Sequence, residues 1–279
     1  MKLYNTSKGI LVESQGNIFN LGDEQSWDTI VNHDNLFGYL SAFCENNEAI
    51  GSSDILQDYH LLAPIGTQEI WASGVTYLRS RNARMEESKD AGGGTFYDKV
   101  YDAERPELFF KAPYYRTVGT DQKVRIRKDS SWNVPEPELT LFVTSHGKIV
   151  GYTVGNDMSS RSIEGENPLY LPQAKSYDGA AAIGPCLFVP ETVINPNAQI
   201  SLSIKRANEE VFVGTISINQ MKRQHTELVA YLFRECTFPQ GCYLMTGTGV
   251  VPPNEFTLAS GDEIAITIEH IGTLRNWVD

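Results

Sequence analysis

The chain has 279 residues, 41% of them hydrophobic and 21% charged, enough to bury a core without disulfides or a structural metal. Its 23 Lys and Arg against 35 Asp and Glu give a formal net charge of −12. That excess of acid excludes a nucleic-acid binder, whose affinity rests on phosphate contacts, and disfavours an anionic membrane surface for the same reason. Cys44, Cys186, Cys236 and Cys242 are too scattered for a CxxC pair and read as reduced thiols of a cytoplasmic protein. No apolar signal core follows Met1. The longest apolar run, residues 180–189, holds Gly184 and Pro185 and is too short to span a bilayer.

Taken in chain order, Ile10-Leu11-Val12 and Ile18-Phe19, joined by Gln15-Gly16, predict a small hairpin. Residues 36–43 predict a short amphipathic helix. Ala63-Pro64-Ile65-Gly66 punctuates the chain and places a boundary near residue 65. The expected organisation is a small N-terminal α+β domain over 1–65 and a larger, mainly β domain over 66–279. From Trp71 onward the segments read as short strands separated by turns, and residues 221–234 carry the best apolar stripe for a helix. Residues 86–104 are polar and include Gly92-Gly93-Gly94, which reads either as a surface loop or as a mobile lid over a site.

The most informative stretch runs from Glu136 to Asp157. Leu139, Leu141 and Val143 alternate with Glu138, Thr140 and Phe142, and Val150, Tyr152 and Val154 alternate likewise after His146-Gly147. A two-residue turn pairing Ser145 with Lys148 sets Val143 against Val150, Leu141 against Tyr152 and Leu139 against Val154. One face is then wholly apolar. On the other, Glu136 falls opposite Asp157, and Glu138 shares their face. Opposed like charges destabilise a sheet, so the cluster calls for a cation. An all-oxygen ligand set suits a hard divalent ion, Mg²⁺ first, with Mn²⁺ or Ca²⁺ as alternatives. A one-residue slip would send the acids to opposite faces. Arg161 follows Asp157 by four residues, one turn if a short helix opens there. Lys175 lies between apolar neighbours, where a snorkelling side chain is the bland reading.

Several motifs in this half of the chain occur together. They are Glu136-Pro-Glu138, Gly155-Asn-Asp-Met-Ser-Ser-Arg161, Gln173-Ala-Lys175-Ser-Tyr-Asp-Gly-Ala-Ala-Ala-Ile-Gly-Pro185 and Leu244-Met-Thr-Gly-Thr-Gly249. As an ordered set from about Trp71 to the C-terminus, they resemble the fumarylacetoacetate hydrolase superfamily. The resemblance implies a rolled mixed β-sheet domain with a metal on Glu136, Glu138 and Asp157. It also implies Lys175 facing the substrate, Arg161 beside the metal, and the turn Thr246-Gly247-Thr248 at the substrate carboxylate. A homodimer or homotetramer is the assembly it implies.

The chain departs from the carbon–carbon hydrolases of that superfamily in one respect. Their lid histidine and glutamate, which activate water, have no counterpart in Gly74-Val75-Thr76-Tyr77-Leu78-Arg79-Ser80-Arg81-Asn82-Ala83-Arg84. His33, His60, His146, His225 and His270 lie outside every motif and read as structural or exposed. Arg79, Arg81 and Arg84 read either as solvated charges or as a fork for a carboxylate and hydroxyls. This version, with Glu107 and Lys111 downstream, resembles the branch that dehydrates 2-keto-3-deoxy-D-arabinonate, also called 2-keto-3-deoxy-D-xylonate, to 2,5-dioxopentanoate in pentose catabolism.

The expected substrate is therefore a small 2-keto acid bound by Thr76, Arg81, Arg84, Arg161 and Thr248, with Lys175 and Glu107 as the proton pair. Lys175 with a lowered pKa would be the base and Glu107 the acid, with the reverse also open. The alternative enzyme is a hydrolase or decarboxylase of another 2-keto or 1,3-dicarbonyl acid. A metal-stabilised binding protein is the non-enzyme alternative.

Overall fold

The computed structural model describes residues 1–22, 25–87 and 99–279, with side chains of 86 and 87 excepted. Most of the segment expected to be a loop or lid therefore lies outside the described residues. Alternating apolar strands build one eleven-stranded sheet and one five-stranded sheet. The larger sheet runs from Gly51–Ser52 through Asn17–Asn20, Gly9–Ser14 and Lys2–Thr6 to Ala181–Phe188. It continues through Ile149–Asp157, Pro137–Val143, Cys242–Thr248 and Glu69–Gly74 to an edge at Glu107–Pro113, and the eleventh strand, Thr117–Val118, pairs with Ala181–Phe188 off this path. The smaller sheet orders Glu209–Ser217, Gln199–Arg206, Glu263–Ile268, Gly272–Val278 and Gln122–Val124. Both contain parallel as well as antiparallel pairs. The expected mixed, mainly β architecture is the one observed.

Two apolar clusters hold these layers. Leu139, Leu141 and Val154 of the large sheet pack with Ile200, Leu202, Ile264, Ile266 and Leu274 of the small one. The opposite face of the large sheet, with Phe142, Ile183, Tyr243 and Met245, packs on Trp27, Ile30, Leu36 and Leu40. The last two belong to the helix Leu36–Glu45, whose first turn Asn35 caps by accepting from the Gly38 N–H. The strand Pro137–Val143 is consequently buried on both faces. Residues 1–65 do not make a sheet of their own. Their strands extend the large sheet through the pairing of Lys2 with Phe188 and Leu3 with Leu187.

The expected N-terminal hairpin forms between Gly9–Ser14 and Asn17–Asn20, with Gln15 and Gly16 at φ 51° and 79°, as a two-residue primed turn requires. Residues 221–234 give a shorter helix than the apolar stripe suggested. It spans His225–Leu232, because Met221 is extended and the Lys222 N–H donates to the Thr76 carbonyl at 2.9 Å. Among the described residues no helix is long and apolar enough to cross a membrane, and all four cysteines are free.

Candidate active site

Five strand ends meet at one end of the large sheet. Glu138 pairs with Thr248, Pro137 with Asn156, Met245 with Ala72, and Gly74 with Glu107. The start of Pro137–Val143, the ends of Ile149–Asp157, Cys242–Thr248 and Glu69–Gly74, and the start of Glu107–Pro113 therefore share one neighbourhood.

The carboxylate hairpin has the expected outcome by a different local route. Leu141 pairs with Tyr152 and Leu139 with Val154, but Val143 pairs with Ile149 rather than Val150. The turn is one residue longer than expected: the Thr144 N–H donates to the Lys148 carbonyl at 2.9 Å, and Gly147 takes a φ of 76°. A bulge after Phe142 absorbs the extra residue and restores the register. The Asp157 N–H donates to the Glu136 carbonyl at 3.0 Å, so the acids do face one another. Carboxylate oxygens of Glu136, Glu138 and Asp157 lie within 4.8 Å of each other, and all three residues are buried.

A second bulge shapes the neighbouring strand. Glu138 pairs with Thr248 while Thr140 pairs with Met245, which leaves Gly247 at a φ of 96°. Its N–H donates to Glu138 Oε2 at 2.6 Å. A β-carbon there would lie 2.0 Å from Thr76 Oγ1, so only glycine fits both the conformation and the space.

Lys175 ends the short helix Leu171–Lys175 and is fully buried. It does not snorkel. Its Nζ donates to Glu136 Oε2 at 2.5 Å, Asp157 Oδ2 at 2.9 Å and Ser159 Oγ at 2.5 Å. Arg161 Nη2 donates to the other Glu136 oxygen at 2.6 Å. The one-turn relation of Asp157 to Arg161 does not hold: Asp157 ends a strand, and the helix is Arg161–Glu166, capped by Ser160. Ser159–Ser160 pair with Asn133–Val134 instead and deliver Arg161 to the cluster.

The charges divide the carboxylates. Burial pushes Glu136 up, but Lys175, Arg161 and Arg84 outweigh it and hold the carboxyl well below the usual range. Burial and the neighbouring Asp157 and Glu136 charges push Glu138 well up. Among the described residues no basic side chain lies within ion-pair distance of Glu138. Three facing carboxylates, one of them without a counter-charge, fit a hard divalent cation. Lys175 departs from its expected direction. Burial lowers its pKa, but Asp157, Glu136 and Glu164 outweigh burial and raise it, so the ammonium form is held.

Glu107 is half-buried as a residue, yet its Oε2 is enclosed and has no hydrogen-bond partner among the described residues. That oxygen lies 1.9 Å from where a β-carbon at Gly74 would sit. Burial raises its pKa, against the Arg84 and Lys175 charges. Arg84 is buried and pairs with Glu164 at 3.0 Å. Thr76 Oγ1 donates to the Thr246 carbonyl at 2.7 Å, and Thr248 Oγ1 to the Val250 carbonyl at 3.1 Å. Thr246–Thr248, expected as a turn, is thus the bulged end of the strand Cys242–Thr248, and both hydroxyls brace it. Arg81 bonds Asn82 and stacks over Tyr101 at 5.1 Å, and Arg79 is exposed.

Two buried residues were given no role by the sequence reading. Glu164 lies against Arg84, Arg161 and Lys175, and Lys111 lies 2.6 Å from Asp157 Oδ1. Their only signals were a glutamate three residues after Arg161 and a lysine inside an apolar strand. A groove of about 900 Å³ lined by Tyr152, Ile194, Ile218, His225, Val229 and Phe233 contains none of these groups. Chemistry rather than volume locates the site.

Known proteins resemble the chain over most of its length. The family described as fumarylacetoacetate (FAA) hydrolase C-terminal matches residues 70–279. A probable 2-keto-3-deoxyxylonate dehydratase of Haloferax volcanii is 50% identical over 226 residues, covering 81% of this chain and 77% of the relative. A 2-dehydro-3-deoxy-D-arabinonate dehydratase of Saccharolobus solfataricus is 41% identical over 249 residues, covering 84% of each. A solved structure of 2-keto-3-deoxy-D-arabinonate dehydratase complexed with magnesium and 2,5-dioxopentanoate superposes with a TM-score of 0.82 at 35% identity, covering 100% of this chain and 99% of that one.

Proposed function

The chain belongs to the fumarylacetoacetate hydrolase family, and on that premise we propose that it is a Mg²⁺-dependent hydro-lyase converting 2-keto-3-deoxy-D-arabinonate (2-keto-3-deoxy-D-xylonate) to 2,5-dioxopentanoate. The observation that carries the proposal is the convergence of three metal-competent carboxylates with Lys175 and Glu107 at one sheet end. Dehydratase relatives covering most of the chain support the reaction. Glu136, Glu138 and Asp157 would hold Mg²⁺, which when bound would supply Lewis acidity toward the 2-keto group and toward negative charge developing from C3.

The remaining work falls to side chains. Glu107, whose proton affinity is raised by burial, takes the C3 proton as general base. Lys175, held as an ammonium by its carboxylate neighbours, donates a proton to the departing C4 hydroxyl. Water leaves, and the unsaturated 5-hydroxy product tautomerises to the aldehyde. This assignment is the reverse of the one favoured from sequence; in the metal-free site the surrounding acids raise the lysine rather than lower it. Arg161 orients Glu136, Arg84 and Arg81 lie on the helix Leu78–Glu87, and Thr76 and Thr248 shape the bulge that meets the substrate carboxylate. The same reading makes the enzyme a cytoplasmic homodimer or homotetramer.

The roles separate in deuterium oxide. Glu107→Gln is expected to lose C3 proton exchange, whereas Lys175→Met keeps exchange and loses elimination. Exchange that survives in Glu107→Gln and vanishes in Lys175→Met would swap the two roles. A product cleaved at a carbon–carbon bond in the wild type would replace dehydration with hydrolysis.

A further inference from the structure

The pairing of Glu69–Gly74 with Glu107–Pro113 skips one residue. Trp71 pairs with Phe110 and Ile70 with Ala112, which leaves Lys111 as the extra residue of a β-bulge. A bulge bends its strand and re-aims the side chain it carries. Here it sends a lysine from an edge strand into the interior, where it is fully buried.

A buried ammonium is costly unless each of its donors is matched. Lys111 is offset by two carbonyl acceptors and one ion pair. Its Nζ donates to the Met158 carbonyl at 2.8 Å and to the Lys175 carbonyl at 2.5 Å, and it lies 2.6 Å from Asp157 Oδ1. The contact is reciprocated, since Ser176 Oγ donates to the Lys111 carbonyl at 2.8 Å. These partners belong to separate elements: the end of the strand Ile149–Asp157 and the end of the helix Leu171–Lys175. Lys111 occupies one Asp157 oxygen and leaves Oδ2 facing Lys175. Among the described hydrogen bonds and ion pairs, no other residue's side chain touches both the Asp157 carboxylate and the Lys175 backbone.

We propose that Lys111 is a positioning residue for the dehydration, fixing a metal ligand, Asp157, and a proton donor, Lys175, in one relative placement. The inference rests on the functional reading above. It assigns Lys111 no contact with substrate.

The test compares wild type with Lys111→Met and Lys111→Gln on the intact chain, with two readouts: steady-state turnover of 2-keto-3-deoxy-D-arabinonate, and the electron paramagnetic resonance spectrum of bound Mn²⁺. Small misplacements of reacting groups cost rate steeply, so Lys111→Met is expected to lower kcat about 100-fold. KM should stay within about threefold, because substrate contacts are intact. The Mn²⁺ spectrum should change shape while Mn²⁺ still binds. Lys111→Gln keeps a donor for one carbonyl and should fall less, and it carries the test if the Met variant does not fold. Wild-type kcat with an unchanged Mn²⁺ spectrum in either folded variant would overturn the inference. So would a loss of rate that only tracks the folded fraction. Wild-type protein that binds no Mn²⁺ and turns nothing over would instead remove the underlying functional reading, and this inference with it.

Discussion

Glu138 is the acid whose burial is least offset: it accepts from the Gly247 N–H and faces Glu136 and Asp157. Replacing it by Gln removes a repulsion that exists only while no cation is bound. Glu138→Gln is therefore expected to raise the melting temperature of the metal-free protein by a few degrees, corresponding to about 1 kcal/mol, while weakening Mg²⁺ binding in calorimetry. A lower melting temperature with unchanged Mg²⁺ affinity would contradict the charge argument. Glu107 gives the complementary case, because it touches no metal-competent carboxylate among the described hydrogen bonds. Glu107→Gln should cost roughly 10²–10⁴-fold in turnover, the usual range for a lost general base, and leave Mg²⁺ binding intact. At this scale the ligand set was readable from spacing alone, since Glu136, Glu138 and Asp157 sit on a regular alternation. The ionisation of Lys175 was not, because it depends on Asp157 and Glu136, with Glu164 at 3.4 Å adding to them, and the helix that ends at Lys175 brings it against all three only in the folded chain.

Elements decide how those residues meet. The Glu136–Asp157 hairpin was legible because apolar alternation on both strands admits one register, and a longer turn offset by a bulge leaves that register unchanged. The bulges at Gly247 and Lys111 were not legible, since each is defined by a partner strand far away in sequence. Gly247→Ala tests the first. A β-carbon 2.0 Å from Thr76 Oγ1 at a φ of 96° should lower the melting temperature and weaken Mg²⁺ binding together by shifting the N–H that Glu138 accepts. A fall in melting temperature with unaltered Mg²⁺ affinity would separate the turn from the metal site. The helix His225–Leu232 carries a pH effect of its own. Burial lowers His225 to about 4, and its place in the first helical turn also disfavours charge. The fold holds the neutral ring, so its contribution is intact above about 6.5 and is lost as pH falls toward 4, a change of ~2–3 kcal/mol. Between pH 7 and pH 4.5 the wild type should lose more unfolding free energy in urea than His225→Gln. Equal losses would rule this histidine out.

Across the whole molecule, the two apolar clusters lie on opposite faces of the large sheet, and the charged site sits at its end. Stability and chemistry are thus carried by different parts of the fold. Stripping the divalent ion with EDTA should abolish turnover and leave the far-ultraviolet circular dichroism spectrum unchanged. A collapse of the spectrum would make the metal structural. Residues 1–65 looked separable by punctuation at Ala63–Gly66, yet their strands hydrogen-bond into the catalytic sheet at Lys2 and Leu3. Composition cannot reveal that continuity, because sheet partners are chosen in three dimensions. The most direct measurement is the mass of the product formed when metal-stripped protein meets 2-keto-3-deoxy-D-arabinonate, with and without Mg²⁺. Loss of one water to give 2,5-dioxopentanoate, only with Mg²⁺ and not in Glu136→Ala, is the expected result. Turnover that ignores Mg²⁺, or no turnover by protein that binds Mg²⁺, would contradict the dehydratase account.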